Sequence, residues 1–250
     1  MSVRPVALVT GGVRRVGLAI ARALARSGSD LILTFRTNAD EARAAATEIE
    51  RLGGRASVER LDLDDLGAVE AFGARLAADL PRFDVLVHNA SVYAPTPLAT
   101  LDAAAMLSHF RINAAAPLLL TRHLAPRLRE SSRPGGGAVV AIADMHALGR
   151  PRLGHAAYSM SKAALVEMVR VLARELAPRV RVNAVAPGVV AFPDSGPESS
   201  AEFQERYLAR VPLARAGTPG DAAEAVRWLA LDAPYVTGEV IRVDGGRWLA

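Results

Sequence analysis

A doubly wound α/β fold, with a seven-stranded parallel sheet and helices on both faces, is what this sequence predicts. Two observations carry that reading. Short runs of apolar and β-branched residues alternate with longer segments of helical periodicity along the whole 250-residue chain. The first apolar run also empties into a glycine-rich turn, Thr10-Gly11-Gly12-Val13-Arg14-Arg15-Val16-Gly17, that opens the next helix.

Taken in order, the periodicity places a strand at Val6 to Val9, a helix from Gly17 to about Arg26 and a strand at Leu31 to Phe35. Helix Ala39 to Leu52, strand Ala56 to Arg60, helix Leu66 to Leu80 and strand Val85 to His88 repeat the unit. A long helical stretch then runs from about Ala103 to Leu128 and is followed by the Pro-Gly-Gly-Gly break at Pro134 to Gly137. Strand Ala138 to Ile142, helix Tyr158 to Ala177, strand Arg181 to Ala186, helix Ala222 to Ala230 and strand Val240 to Val243 complete the alternation. Ligands of such sheets sit beyond the carboxyl ends of the strands. The irregular stretch Val189 to Ser200, rich in Pro, Ser and Gly, follows a strand end, where a substrate loop spanning about 189–210 is expected.

Composition narrows the function classes. With 51% hydrophobic and 22% charged residues the chain suits one compact domain over residues 1–250. The absence of cysteine excludes disulfides and thiolate metal sites and points to a reducing, cytoplasmic setting; no metal is expected. The apolar run near the N-terminus stops at Gly11, too short for a signal-peptide core or a bilayer span, so no membrane role is expected. A net charge of +4 is spread as arginines among acidic residues without a basic block, which argues against nucleic acid and suits small anionic ligands.

The glycine turn is the first βα connection of a βαβ unit, where backbone N–H groups and the helix N-terminus approach a pyrophosphate in Rossmann-type sheets. Gly11, Arg14, Arg15 and Val16 are the candidate contacts. After the second strand comes Arg36-Thr37, with no acid before Asp40, so a 2′-phosphate is favoured over a bare ribose and NADPH over NADH. Asp62 and Leu63, after the third strand, are placed at the adenine edge, although Asp62 would serve equally as a helix N-cap.

Tyr158-Ser159-Met160-Ser161-Lys162 puts a phenol and an ammonium one helical turn apart on the same face. That is a proton donor with an activator: the phenol's pKa must come down from about 10 to work near neutrality, and an adjacent ammonium lowers it. Lys162 is the only lysine among 30 basic residues, which a solvated surface pair would not require. A lysine is also a compact charge able to reach ribose hydroxyls in a crowded site, unlike a planar guanidinium.

With these motifs the chain resembles the short-chain dehydrogenase/reductase family over essentially its whole length. TGGVRRVG, His88-Asn89-Ala90-Ser91, Asn113, YSMSK, Ala186-Pro187-Gly188 and Asp244-Gly245-Gly246 stand in that family's order and spacing. The resemblance implies that Asn89, Ala90 and Ser91 line the cofactor, that Asn113 holds a water in a relay to Lys162, and that Pro187 and Gly188 abut the nicotinamide. It also implies a homotetramer, with helix Tyr158 to Ala177 at an interface.

Four departures from the common pattern are similar to the pteridine reductases of the family. Arg15 stands where most members have glycine. Asn89 to Leu98 replaces the usual Asn-Ala-Gly, and Tyr93 falls where an aromatic side chain stacks on the pterin. The catalytic serine is missing, since Pro134 to Ala157 contains no Ser or Thr, and Ala143-Asp144-Met145-His146 occupies the region. Phe192-Pro193 follows the Pro-Gly pair. The resemblance thus implies substrate contacts from Arg15, Ser91, Tyr93, Asp144, Tyr158 and Phe192, and catalysis by Asp144, Tyr158, Lys162 and Asn113.

The chemistry points the same way. A ketone reductase needs a hydroxyl beside the developing alkoxide, where a carboxylate would repel charge. A pterin needs a proton delivered to ring nitrogen, which an Asp144–Tyr158 pair can relay while binding the ring edge. Asp144 precedes Tyr158 by one residue more than the family spacing, so either Gly149-Arg150 absorbs the extra residue or His146 takes the site. The expected activity is NADPH-dependent reduction of dihydropterins, with dihydrofolate a second candidate. The rivals are a carbonyl or 3-oxoacyl thioester reductase, which the missing serine disfavours, and an NADPH-binding scaffold, which would not need the Tyr158-Lys162 pair.

Overall fold

The computed structural model describes residues 4–193 and 196–250. Its sheet has seven strands, all parallel, in the order β3-β2-β1-β4-β5-β6-β7. The strands are β1 (Val6–Val9), β2 (Asp30–Phe35), β3 (Ala56–Arg60), β4 (Val85–His88), β5 (Gly137–Ile142), β6 (Val180–Pro187) and β7 (Val240–Val243). The central strands β4, β5 and β6 are buried at every position, as expected of strands covered on both faces, and so read as continuous apolar runs.

Alternate residues of each strand feed two cores. Leu8, Leu86 and Val139 face one side, with Phe72 of α3 (Leu66–Asp79), Leu120 of α5 (Ala116–Arg129) and Leu165 of α6 (Ala156–Glu175). Val9, Val85 and Val140 face the other, with Ile20 of α1 (Arg15–Arg26), Ile49 of α2 (Ala39–Arg51) and Val226 of α8 (Pro219–Leu231). Caps set the helix starts: Asn38 accepts from Glu41, Asp65 accepts from Ala68, and Thr218 with Asp221 forms a reciprocal capping box ahead of Pro219.

Most elements have at least one end moved by one to three residues from expectation, and three departures shape the site. α1 begins at Arg15 rather than Gly17. The stretch expected as one helix is α4 (Ala103–Phe110), a π-helical turn Arg111–Ala115 and α5; the whole is apolar and long enough to cross a membrane by composition, yet Leu120, Leu124 and Leu128 are fully buried in the core. The expected loop 189–210 contains a helix, α7 (Ala201–Leu208), capped by Ser200.

The strand order reverses between β1 and β4, and the crevice over their carboxyl ends is where the fold offers a ligand site. Thr10 and Asn89 stitch its floor. Thr10 Oγ1 accepts from the Asn89 and Ala90 amides at 3.0 and 3.1 Å, and Asn89 Nδ2 donates to the carbonyls of Thr10 and Gly11.

Candidate active site

A cavity of about 630 Å³ opens over the carboxyl ends of the strands. At one end lies the turn after β1. Gly11 sits at φ +60, and a Cβ there would lie 3.0 Å from that of Ala90. On Gly17 a Cβ would fall 2.1 Å from the Gly11 carbonyl and 2.6 Å from Asn89 Nδ2. The side chain of Arg14 caps nothing, so the first-turn amides of α1 and the positive end of its dipole remain for an anion. Arg14, Arg15 and Val16 line this end; Arg36 and Thr37, beyond β2, line it too. Asp62 and Leu63 lie beyond β3. Asp62 accepts from the Asp64 amide and Asp65 is the N-cap of α3, which settles the alternative left open for Asp62.

Arg15 holds φ +49, a left-handed conformation that costs a non-glycine residue about 1–2 kcal/mol. That is the conformational reason for the glycine common at this place. Here the guanidinium crosses the mouth of the cavity and donates to the carbonyl of Phe192 at 3.1 Å.

At the other end the Tyr158 hydroxyl donates to Asp144 Oδ2 at 2.6 Å, and the other carboxylate oxygen accepts from the His146 amide at 2.7 Å. Asp144, not His146, therefore meets the tyrosine. The extra residue is absorbed by the 3-10 turn Met145–Leu148 and by Gly149 at φ +98. His146 lines the cavity, and its Nδ1 pairs with the Arg150 carbonyl.

The expected lowering of the Tyr158 pKa is reversed. Burial and the charge of Asp144 raise it well above the ordinary phenol value, so the hydroxyl stays protonated across the neutral range. Burial pushes Lys162 the other way, down to about 8, against the pull of Asp144. Lys162 is 2% exposed; its ammonium donates to the Ile142 carbonyl at 2.7 Å and lies 6.0 Å from the Tyr158 ring centre.

Asn113, brought inward by the π-helical turn, is 1% exposed and stands behind the cavity wall. It accepts from the Val92 amide and Ser91 hydroxyl and donates to the Val92 carbonyl and Ser161 hydroxyl, all at 2.9 to 3.0 Å. Its side chain thus reaches the helix of Tyr158 and Lys162 through Ser161. Asn89, Ala90 and Ser91 line the cavity beyond β4, and Pro187, the last residue of β6, lines it with Gly188.

Tyr93 stands at the mouth, edge-on to Tyr158 at 4.9 Å and stacked on His155 at 5.0 Å. Phe192 is not on the cavity wall. Its ring packs edge-on against Tyr207 of α7, and Tyr207 lines the cavity in its place. Sequence reasoning missed Tyr207, Arg152 and Glu198. The last two form an ion pair across the mouth, and Tyr93 also donates to Glu198.

A family model described as enoyl-(acyl carrier protein) reductase matches residues 12–247. The chain belongs to the short-chain dehydrogenase/reductase family. It is an oxidoreductase, and similar relatives differ in what they reduce. The 3-oxoacyl-[acyl-carrier-protein] reductase of Aquifex aeolicus is 33% identical, with 96% of each chain covered. Pteridine reductase 1 of Leishmania tarentolae is 34% identical over 97% of this chain and 96% of that one. Among solved structures, a blue fluorescent protein from a metagenomic library in complex with NADPH superposes with a TM-score of 0.87 at 33% identity, covering 97% of both chains.

Proposed function

We propose that this short-chain dehydrogenase/reductase uses NADPH to reduce 7,8-dihydropterins, with dihydrofolate as a second candidate substrate, to the tetrahydro form. The observation that carries the reading is the 2.6 Å hydrogen bond from Tyr158 to the carboxylate of Asp144. A developing alkoxide placed at that phenol would face an anion, whereas a ring nitrogen taking up a proton would not.

The cavity fits the cofactor. Gly11 and Gly17 leave room for backbone only, the first-turn amides of α1 are free of side-chain caps, and Arg14, Arg36 and Thr37 gather where a 2′-phosphate would lie. Asn89 and Ala90 would flank the cofactor's ribose, Lys162 would hold the ribose hydroxyls, and Pro187 with Gly188 would bound the nicotinamide end. When bound, the reduced nicotinamide supplies the hydride taken up at the ring carbon of the substrate's C=N bond.

The chain's own residues manage the proton. Tyr158, held protonated by burial and by Asp144, gives its proton to the ring nitrogen. A bare phenolate beside Asp144 would be unfavourable, so the hydroxyl is refilled by a proton drawn from solvent as its own leaves for the ring nitrogen. The buried ammonium of Lys162, with a pKa of about 8, is the group positioned to balance that charge. Asn113 ties the loop of Ser91 and Val92 to the helix of Tyr158 through Ser161, so the wall bearing Tyr93 and the wall bearing the acid keep their register. Asp144→Ser restores the hydroxyl a ketone reductase would need. It should abolish dihydropterin reduction and create or raise turnover of a 3-oxoacyl thioester; a variant that keeps its pterin activity would refute the role given to Asp144.

A further inference from the structure

Two charged side chains close the mouth of the cavity without a place in the chemistry above. Arg152 comes from the segment before α6, and Glu198 from the 3-10 turn Pro197–Ser199 between β6 and α7. Their ion pair is only 18% and 21% exposed, Tyr93 donates to Glu198 Oε1 at 3.1 Å, and the guanidinium lies 5.4 Å over the Tyr93 ring. Both bonds to Glu198 fall on Oε1, so Oε2 keeps its capacity to accept, and Arg152 gives Glu198 a single N–H among the described residues. A half-desolvated ion pair is a poor strut, since attraction only partly repays lost hydration and an apolar contact would hold the loop as well. A donor beside an acceptor, facing a cavity, is instead the complement of a ligand edge with acceptor beside donor.

We propose that Arg152 and Glu198 are specificity-determining residues that recognise the acceptor–donor–donor edge of an aminopyrimidinone ring. The guanidinium donates to the ring carbonyl, and Glu198 Oε2 accepts from the lactam N–H and the exocyclic amine. The inference rests on the pterin reading and gives it an orientation. On a 7,8-dihydropterin the imine nitrogen is neighbour to the carbonyl, followed by the N–H and the amine. Tyr93 touches all three groups this orientation needs: it lies edge-on to the proton donor Tyr158 at 4.9 Å, sits 5.4 Å under the Arg152 guanidinium and donates to Glu198.

The test is fluorescence titration of the intact protein, saturated with NADP+, by pterin and by lumazine, which carries a carbonyl where pterin has the amine. Wild type should prefer pterin by about tenfold or more, the worth of a hydrogen bond to a charged acceptor. Glu198→Gln, whose amide can donate to the second carbonyl, should bring the two affinities together. Equal affinities in the wild type overturn the inference without any variant, as does a Glu198→Gln protein that loses both ligands by the same factor, which would reduce the pair to a loop tether. Binding of neither heterocycle would overturn the pterin reading itself, whereas binding of both without preference leaves that reading standing and removes only the recognition pair.

Discussion

Replacing Lys162 by Met removes a buried charge while keeping an unbranched apolar stem of similar length. The lysine is 2% exposed and its pKa is pushed from 10.5 to about 8 by burial. Between those two values the unfolded chain holds the proton and the folded chain does not, so wild-type stability rises with pH across that window. Below about 8 both states are charged and the full cost of burying the ammonium is present. The gap between 10.5 and about 8, at ~1.4 kcal/mol per pH unit, makes that cost about 3 kcal/mol. The lost bond to the Ile142 carbonyl adds an offset that does not vary with pH. Urea unfolding of both proteins at a series of pH values reads this group in the difference, because titrations remote from it cancel. Wild type should gain on Lys162→Met by about 3 kcal/mol from neutrality to the alkaline limit, while the variant is inactive throughout. A difference that stays flat with pH would show that the ammonium is not held in a desolvated site, and the role assigned to it beside Tyr158 would fall.

Gly17→Ala puts a Cβ 2.1 Å from the Gly11 carbonyl, so the turn has to shift; stability should fall by about 1–3 kcal/mol, and titration with NADPH should show affinity reduced by more than the stability loss explains. Arg36→Glu, at the exposed end of β2, should cut the preference for NADPH over NADH by roughly ten- to a hundredfold, read as the ratio of kcat/KM values; an unchanged ratio would remove Arg36 from the 2′-phosphate site. Asn113→Ala breaks the bonds joining Ser91 and Val92 to Ser161; it should cost about 1–3 kcal/mol in thermal or urea unfolding and lower kcat more than it raises KM.

The sheet was open to reading because its strands are covered on both faces, and a doubly covered strand announces itself as an apolar run; Val6–Val9, Ala56–Arg60, Val85–His88 and Val240–Val243 have the expected bounds. Helix α7 was not legible. Its apolar stripe, Phe203, Tyr207 and Leu208, is short and only half-buried, and it follows a Pro- and Ser-rich stretch that reads as loop. The cavity wall was legible wherever a residue stands at or just past the carboxyl end of a strand, as at Arg36, Asp62, Asn89, Asp144 and Pro187. It was not legible where the wall depends on one loop meeting another. Arg152 and Glu198 lie 46 positions apart and become partners only when the segment after β6 folds back, and Phe192 loses its place to Tyr207 for the same reason. The direction of the Tyr158 shift escaped as well: spacing along a helix shows that Lys162 is near, but burial and the 2.6 Å bond to Asp144 are tertiary and outweigh it.

The central claim, that the Asp144–Tyr158 pair serves a ring nitrogen rather than a carbonyl, is tested most directly by the oxidation of NADPH with purified wild-type protein, followed by absorbance, with 7,8-dihydrobiopterin or dihydromonapterin in one series and acetoacetyl thioester in the other. Turnover of the dihydropterin with little or none of the thioester is the predicted result. Turnover of the thioester alone would contradict it and leave a carbonyl reductase in which the carboxylate beside the tyrosine has another purpose.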